Sequence, residues 1–275
     1  SWFDGIGTGW DVRLQRFDAA GQAMFGPQGI LVADRGFSST QDYGLDVASN
    51  GDALLAFRDD RGATTEITAA RITPSGLAVF GAAGVPLSSG GAFVASPKIT
   101  GLGSTTYVAW TENSSVHVRA VDAAGAPTAL DLVLTPAVGS YSVSDMHAVG
   151  SDAVLSFVHV TGGFTAPKHI LAQRITPSGT LPWGATPAAV FDGGSLQFGN
   201  FPSFSIDEDG NSLFTWYSAS PSLECFAQRL DGSGNELWPH GGVAVSTAPN
   251  RVRVNPTAAL DPATGDVLVT WVEQN

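Results

Sequence analysis

Four aspartates at wide spacing are the first residues that could do chemistry: Asp46, Asp145, Asp207 and Asp261. A glycoside hydrolase needs two carboxyl groups roughly 5–10 Å apart, one as the acid and one as the nucleophile or base. Asp207 and Asp261 each begin a turn, where an aspartate side chain caps backbone amides. The pattern therefore favours turn capping, and we predict no catalytic carboxylate pair.

Other catalytic and metal-binding motifs are incomplete. Asp207-Glu208-Asp209-Gly210-Asn211 is rich in oxygen ligands, but it lacks the distal glutamate of a calcium loop, which favours a solvated turn. Ser205-Ile206-Asp207 followed by Thr215-Trp216 is too widely spaced for a sialidase Asp box. No Gly-x-Ser-x-Gly nucleophile elbow occurs. We expect no metal and no cofactor.

Histidine and cysteine add no stronger signal. The five histidines are not spaced as a metal pair; they are His117, His147, His159, His169 and His240. Cys225, the only cysteine, lies in an apolar strand pattern, so we expect a buried and unreactive thiol.

Composition narrows the possible partners. The net charge of −12 argues against nucleic acid and against an anionic membrane surface. No apolar run approaches the ~18 residues of a membrane helix. Charged residues make up only 14%, whereas Gly (33) and Pro (16) are frequent, as many short strands joined by tight turns require.

A repeated strand-and-turn phrase organises the chain. A strand ends in arginine and is followed by a turn built around glycine, at Arg16, Arg71, Arg119, Arg174 and Arg229, with spacings of 55, 48, 55 and 55 residues. Each repeat is predicted to contain four strands, numbered here from first to fourth. A period near fifty made of strands indicates a radial array or a solenoid.

Aromatic residues recur at two positions of the repeat. The second strand carries one at Phe57, Trp110, Phe157, Trp216 and Trp271, and the fourth strand begins with Phe25, Phe80, Trp183 or Trp238. Large rings fill the space between packed sheets, so we predict that these rings form the core. We also expect the arginines of the third strand to face Asp59, Glu112 and Glu273, which lie two residues after second-strand aromatics.

The ends of the chain carry half-repeats. Residues 11–34 supply a third and a fourth strand, and residues 256–275 supply a first and a second. We therefore predict an all-β, single-domain fold: a five-bladed β-propeller with four-stranded antiparallel blades, closed by pairing of the two half-blades. Trp2 does not fit this scheme, because it lies 55 residues before Phe57 and competes with Trp271 for one position.

Residues 172–247, the best copy of the repeat, combine Ala-Gln-Arg-Leu-Asp, Leu-Trp and Gly-Gly-Val-Ala-Val. The copy resembles propeller-like repeats of large secreted bacterial proteins, and weaker copies extend over the chain. The resemblance implies a β-propeller that is secreted or at the cell surface. Nothing catalytic carries over, because the matching residues are scaffold residues.

The connections from second to third strand and from fourth to first strand vary between repeats, and they emerge on one face of a propeller. Rings and an arginine on these loops suit recognition of a glycan or a protein. The candidate ligand-binding residues are Trp10, Phe37, Tyr43, Phe93, Tyr141, Phe164, Phe198, Phe201 and Arg251. The alternative for any one ring is that it packs its loop onto the scaffold.

Two classes of function follow. The first is a non-catalytic binding or scaffold module at the cell surface, with a single composite site because the loops are dissimilar. The alternative is a carbohydrate-active enzyme, a propeller glycosidase with carboxylates in a central funnel. The oligomeric state has no sequence signal.

Overall fold

The protein is all-β. The computed structural model describes residues 2–6, 9–36, 43–102 and 104–274, with the backbone alone described at 2–6 and 102, and the described part of the chain contains strands and no helix. It accordingly offers no helix that is long and apolar enough to span a membrane.

The chain divides into two compact units, Ser1–Leu134 and Thr135–Asn275. The first contains three antiparallel sheets: sheet 1 with β1 (Trp2–Ile6), β2 (Gly9–Leu14) and β3 (Ile30–Ala33); sheet 2 with β4 (Tyr43–Val47), β5 (Ala53–Asp59), β6 (Glu66–Ile72) and β7 (Val85–Pro86); and sheet 3 with β8 (Val94–Leu102), β9 (Thr105–Glu112), β10 (Ser115–Val121) and β11 (Pro127–Leu134).

The second unit also contains three: sheet 4 with β12 (Ser140–Val149), β13 (Asp152–Val160), β14 (Lys168–Ile175) and β15 (Ala188–Phe191); sheet 5 with β16 (Ser195–Leu196), β17 (Phe204–Ile206), β18 (Ser212–Ser220), β19 (Glu224–Leu230) and β20 (Val243–Ala244); and sheet 6 with β21 (Val252–Leu260) and β22 (Val267–Gln274). Sheets 2 to 5 follow the predicted order of four strands, with the first strand of sheet 5 split into β16 and β17.

The predicted pairing of the two half-blades is wrong. Strand β2 is bonded to β1 on one edge and to β3 on the other, so β1 takes the position that we expected β22 to fill. Trp2 lies opposite Arg13, three residues before Arg16, as Phe57 lies opposite Thr68, three residues before Arg71. The same backbone register therefore recurs in β1.

The second-strand aromatics form the core, as predicted, in four of the five repeats. Phe57 and Phe157 have no exposed surface, and Trp110 and Trp216 are 1% exposed. Phe57 packs with residues of sheets 1 and 2, Trp110 with those of sheets 2 and 3, and Trp216 with those of sheets 4 and 5. Trp271 differs, because it is 36% exposed.

The aromatics that we predicted to begin the fourth strands lie five residues before those strands, and Phe25, Phe80 and Trp183 contact the glycine in the turn of the following repeat. Gly234 has φ +83°, and a Cβ there would lie 2.6 Å from the Trp183 ring. Trp183 Nε1 donates to Gly232 O over 3.1 Å in the same turn. The glycine is thus required both by the left-handed backbone and by close approach of the ring.

The repeated arginines do not face the acids that we predicted. Arg71 Nε donates to Asp52 Oδ2 over 2.7 Å, and Arg174 Nε donates to Asp152 Oδ2 over 2.8 Å. Asp59 pairs instead with Arg61. The reason is register: Arg71 is opposite Leu54 at one end of β5, five residues or roughly 17 Å along the strand from Asp59.

Turn capping by aspartate is confirmed. Asp207 Oδ1 accepts the backbone amides of Asp209 and Asn211 at 3.1 and 2.8 Å, and Asp207 Oδ2 accepts from Arg229 at 2.7 Å. Burial opposes ionisation of Asp207, but the hydrogen bonds from Asn211 and Arg229 outweigh it and hold the pKa of this carboxyl below its ordinary value.

Candidate functional site

Two exposed rings of the second unit lie against each other. Phe164 is 73% exposed and Phe198 is 64% exposed, and their ring centroids are 4.8 Å apart at an angle of 50°. Phe164 belongs to the connection from β13 to β14, and Phe198 to the connection between β16 and β17. The two rings therefore form one solvent-facing aromatic surface.

A single lysine anchors this aromatic pair. Lys168 Nζ donates to Phe164 O and to Ala166 O, both over 3.2 Å, and lies 5.9 Å from the centroid of the Phe198 ring. The backbone N of Lys168 donates to Ser195 Oγ over 3.1 Å, which ties β14 to β16. The ammonium group therefore holds both loops and adds a cation to the aromatic surface.

The loop that carries Phe198 exists because the first strand of sheet 5 is interrupted. Leu196 pairs with Ser218 and Phe204 pairs with Phe214, so seven residues, 197–203, stand opposite three residues of β18. Pro202 O accepts from the hydroxyl of Ser144 over 2.7 Å, which fixes the far end of the loop to β12.

A polar cavity of about 250 Å³ lies against this loop. Its lining comes from the loop, from the middle of β18 and from the bulge of β21: Asn200, Phe201, Pro202, Ser203, Thr215, Trp216, Tyr217, Asn255, Pro256 and Thr257. The cavity follows from the interrupted strand, because no first-strand residue pairs with β18 between Phe214 and Ser218.

Two of the lining residues carry buried donors that have no acceptor in the part of the chain that the structure describes. These atoms are Asn200 Nδ2 and Trp216 Nε1. In sheet 3 the equivalent Trp110 Nε1 donates to Glu112 Oε2 over 2.9 Å, whereas the residue two positions after Trp216 is Ser218, which donates to Ser222 O. A buried donor without a partner is costly, and both nitrogens have almost no accessible surface, so a ligand acceptor would reach them only after a local rearrangement.

An acid–histidine pair lies beside the same loop. Asp145 Oδ2 is 3.0 Å from His147 Nε2 and accepts the backbone N–H of Phe204 over 3.1 Å. The His147 ring meets the Phe204 ring edge to face at 4.8 Å. The carboxylate thus orients the imidazole of His147, and the His147 side chain is 41% exposed.

The candidate ligand-binding residues of the first unit are not brought together by any described contact. Trp10 and Phe93 are exposed, and the Arg58 guanidinium lies 5.8 Å from the Phe93 ring centroid. Tyr43 is partly buried against the core that contains Phe57. Phe37 lies outside the described residues.

Three further candidates of the second unit have structural contacts. Tyr141 is buried between Phe157 and His159, at centroid distances of 4.7 and 5.0 Å, and burial raises the pKa of its hydroxyl. Phe201 packs against the core and lines the polar cavity. Arg251 Nε lies 3.8 Å from Glu273 Oε1.

Sequence reasoning missed Lys168, Asn200 and the Trp216 N–H. One signal was present: Ser218 stands where Glu112 and Glu273 follow the other tryptophans of the second strand. That difference identifies the repeat in which the indole N–H lacks its usual acceptor. The interruption between β16 and β17 has no comparable signal.

Cys225 is buried, as predicted, and burial raises the pKa of its thiol to about 11. A thiol with this pKa is a poor nucleophile at neutral pH. Across the described ranges, no three His, Cys, Asp or Glu side chains are grouped closely enough to hold a metal ion.

No family model matches the chain, and no curated protein matches it by sequence. Among solved structures, it is similar to an ACO/RPE65 chimera (TM-score 0.52, 10% identity) and to a variant of the Synechocystis apocarotenoid oxygenase (TM-score 0.52, 11% identity). Each match covers 98% of this chain and 65% of the other. An endo-arabinase from Bacteroides thetaiotaomicron gives a TM-score of 0.44 at 14% identity, covering 84% of this chain and 88% of the enzyme.

The chain thus spans about 65% of the length of the chimera and of the oxygenase variant. At 10 and 11% identity, these likenesses show the fold alone. They support the conclusion that the chain has an all-β fold built of antiparallel, blade-like sheets.

Proposed function

We propose that the protein recognises a carbohydrate at the interrupted first strand of sheet 5. The observation that carries the proposal is the exposed Phe164–Phe198 pair, with centroids 4.8 Å apart. The faces of sugar rings carry C–H groups that pack on aromatic rings, and a pair of rings held by two anchored loops is already arranged to accept them.

The polar cavity supplies the second half of the argument. Two of its lining residues carry buried donors, Asn200 Nδ2 and Trp216 Nε1, that have no acceptor among the described residues. Sugar hydroxyl oxygens accept hydrogen bonds, and a volume of about 250 Å³ is close to the lower range of small-ligand sites. The net charge of −12 favours a neutral sugar over a polyanion.

The test measures binding of a panel of neutral oligosaccharides, including arabino-oligosaccharides, to the full chain and to the Phe164→Ala/Phe198→Ala double variant. Each ring contributes about 1 kcal/mol, so the double variant should bind about thirtyfold more weakly. Phe93→Ala, which removes an exposed ring of the first unit, is the matched control and should bind normally.

Thermal unfolding separates binding from folding. Both rings are exposed, so the double variant should change the free energy of unfolding by only about 0.5 kcal/mol. If no oligosaccharide binds, or if Phe93→Ala weakens binding as much as the double variant, the carbohydrate proposal fails. A protein partner whose binding depends on the two rings would support the other form of the binding hypothesis.

A second candidate function is hydrolysis of the bound sugar, the propeller glycosidase alternative. The Asp145–His147 pair favours it, because a carboxylate that orients an exposed imidazole at 3.0 Å can assist proton transfer. This pair supplies one carboxylate, whereas glycoside hydrolysis generally uses two. Binding is therefore the first candidate function and hydrolysis the second.

Measuring the reducing sugar released from the bound oligosaccharide distinguishes a binding module from a glycosidase. Turnover that is lost in Asp145→Asn while binding persists would establish the enzyme. Binding without turnover in the unaltered chain would establish the binding module. The single domain, the number of blades and the secreted or cell-surface setting stay predictions.

A further inference from the structure

One lysine beside the exposed aromatic pair differs from the other basic side chains of the second unit. The four arginines of this unit each have a nitrogen within 3.8 Å of a carboxylate oxygen. The pairs are Arg174 with Asp152, Arg229 with Asp207, and Arg251 and Arg253 with Glu273. Lys168 forms no ion pair with any residue that the structure describes. The chain has 25 acidic and 13 basic residues, so a lysine without a carboxylate partner is a departure that points to a ligand.

The contacts of Lys168 satisfy only part of its hydrogen-bonding capacity. Lys168 Nζ donates to Phe164 O and to Ala166 O, both over 3.2 Å. An ammonium group has three donors, so one N–H group is left for an acceptor outside the protein. The two backbone carbonyls carry no net charge, so the acceptor that would complement this group best is a carboxylate.

The ammonium group lies where a bound sugar would meet it. Lys168 Nζ is 5.9 Å from the centroid of the Phe198 ring, which is 64% exposed and lies against Phe164. A sugar ring that packs on this surface therefore has a cation close to its substituents. In a uronic acid the substituent at C5 is a carboxylate, which projects from the edge of the sugar ring.

The charge of the whole chain limits how many carboxylates the ligand carries. At a net charge of −12 the chain repels anions, although salt at physiological strength screens this repulsion beyond about 8 Å. A single carboxylate in contact with an ammonium group gains a charge-assisted hydrogen bond at short range. Each further carboxylate meets the same repulsion without a second unpaired cation, because the arginines of the second unit already have acidic partners.

We propose that the aromatic pair binds an oligosaccharide with a single uronic acid, whose ring packs on Phe198 and whose carboxylate accepts a hydrogen bond from Lys168 Nζ. Lys168 is then the residue that determines specificity at this site. The inference rests on the proposed carbohydrate function and narrows its ligand class to sugars that carry one carboxylate.

The probes are disaccharides that differ only at C6 of one residue. One pair is cellobiose and cellobiouronic acid, the other is lactose and its galacturonic acid counterpart, and each acid is also used as its methyl ester. Binding to the full chain is measured by isothermal titration calorimetry at neutral pH. Each acid should bind about fivefold more tightly than its ester and than the neutral sugar, as expected for a partly exposed ion pair.

Variants of Lys168 separate recognition of the carboxylate from support of the loops. Lys168→Gln should abolish the preference for each acid, and Lys168→Arg should retain it because the charge remains. Lys98→Gln, the same change at the other lysine of the chain, is the matched control and should leave the preference unchanged. The readout is the ratio of the affinities for acid and ester, which a loss of loop support alone would not change.

Three outcomes would overturn this inference and leave the carbohydrate site standing. They are equal affinities for acid and ester, equal weakening of both by Lys168→Gln, and binding of a neutral oligosaccharide by a chain that binds neither acid. If no oligosaccharide of either kind binds, the carbohydrate proposal itself fails, and this inference fails with it.

Discussion

Sheets 3 and 5 carry a buried tryptophan at the same position of the repeat, but the two indole N–H groups differ in their hydrogen bonding. Trp110 and Trp216 are both 1% exposed, yet Trp110 Nε1 donates to Glu112, whereas Trp216 Nε1 has no acceptor among the described residues. The difference arises at one position of the repeat, which is Glu112 in sheet 3 and Ser218 in sheet 5. The ring serves packing in both sheets, but its N–H is satisfied internally in one only.

The first strands of sheets 3 and 5 also differ, and again sheet 5 is the one that departs from the common pattern. In sheet 3, β8 runs from Val94 to Leu102 with one bulge, whereas in sheet 5 the strand is split by residues 197–203. The interruption produces both the exposed Phe198 and the polar cavity. The candidate site therefore lies where one repeat departs from the common scaffold, while its core rings keep their places.

Removing either ring should have the largest effect. Trp110→Ala and Trp216→Ala should each lower the free energy of unfolding by about 3–5 kcal/mol, because both leave a large core cavity. Urea unfolding followed by circular dichroism measures this. A cost below about 1 kcal/mol for Trp216→Ala would show that sheet 5 is not packed as sheet 3 is.

Substitution by phenylalanine keeps a ring in the core and tests the contribution of each indole N–H. Trp110→Phe removes a hydrogen bond to a carboxylate, whereas Trp216→Phe removes an unpaired donor, so the first should cost about 1–2 kcal/mol more. Equal costs in urea would contradict the assigned difference. Trp216→Phe should still weaken oligosaccharide binding if the ligand accepts from this N–H.

The smallest expected effect is the pH dependence of stability that comes from His240, in the connection between β19 and β20 of sheet 5. Hydrogen bonds to Glu236 and Asp192 raise the pKa of His240 above 6.5. A histidine whose pKa is raised in the folded state adds stability below about pH 6.5. This added stability is lost as the pH rises through the pKa of the folded state. The contribution of His240 to the melting temperature should therefore fall slightly between pH 6 and pH 8, beside an opposite contribution from His169, whose pKa burial lowers.

His240→Gln should remove that slope, and Asp192→Asn should reduce it by lowering the pKa of His240. The effect is small because His240 is largely exposed. An NMR titration of His240 gives the pKa directly. A value at or below that of a free histidine would contradict the pairing.

The sequence alone determined the repeat, the all-β class, the order of four strands, the buried rings Phe57, Trp110, Phe157 and Trp216, and the aspartate caps. These features depend on contacts near in sequence or on a period that the chain itself repeats. Phe164 and Phe198 could also be chosen, because they fall on loops that vary between repeats.

Only the tertiary structure decided the partners. Arg71 pairs with Asp52 and not with Asp59 because strand register, which residue type does not reveal, sets the two carboxylates at opposite ends of β5. The meeting of Phe164 with Phe198, the split of one first strand, and the placement of β1 beside β2 likewise depend on how loops and edges pack. Side chains from different loops become a site only when the scaffold fixes the distance between them.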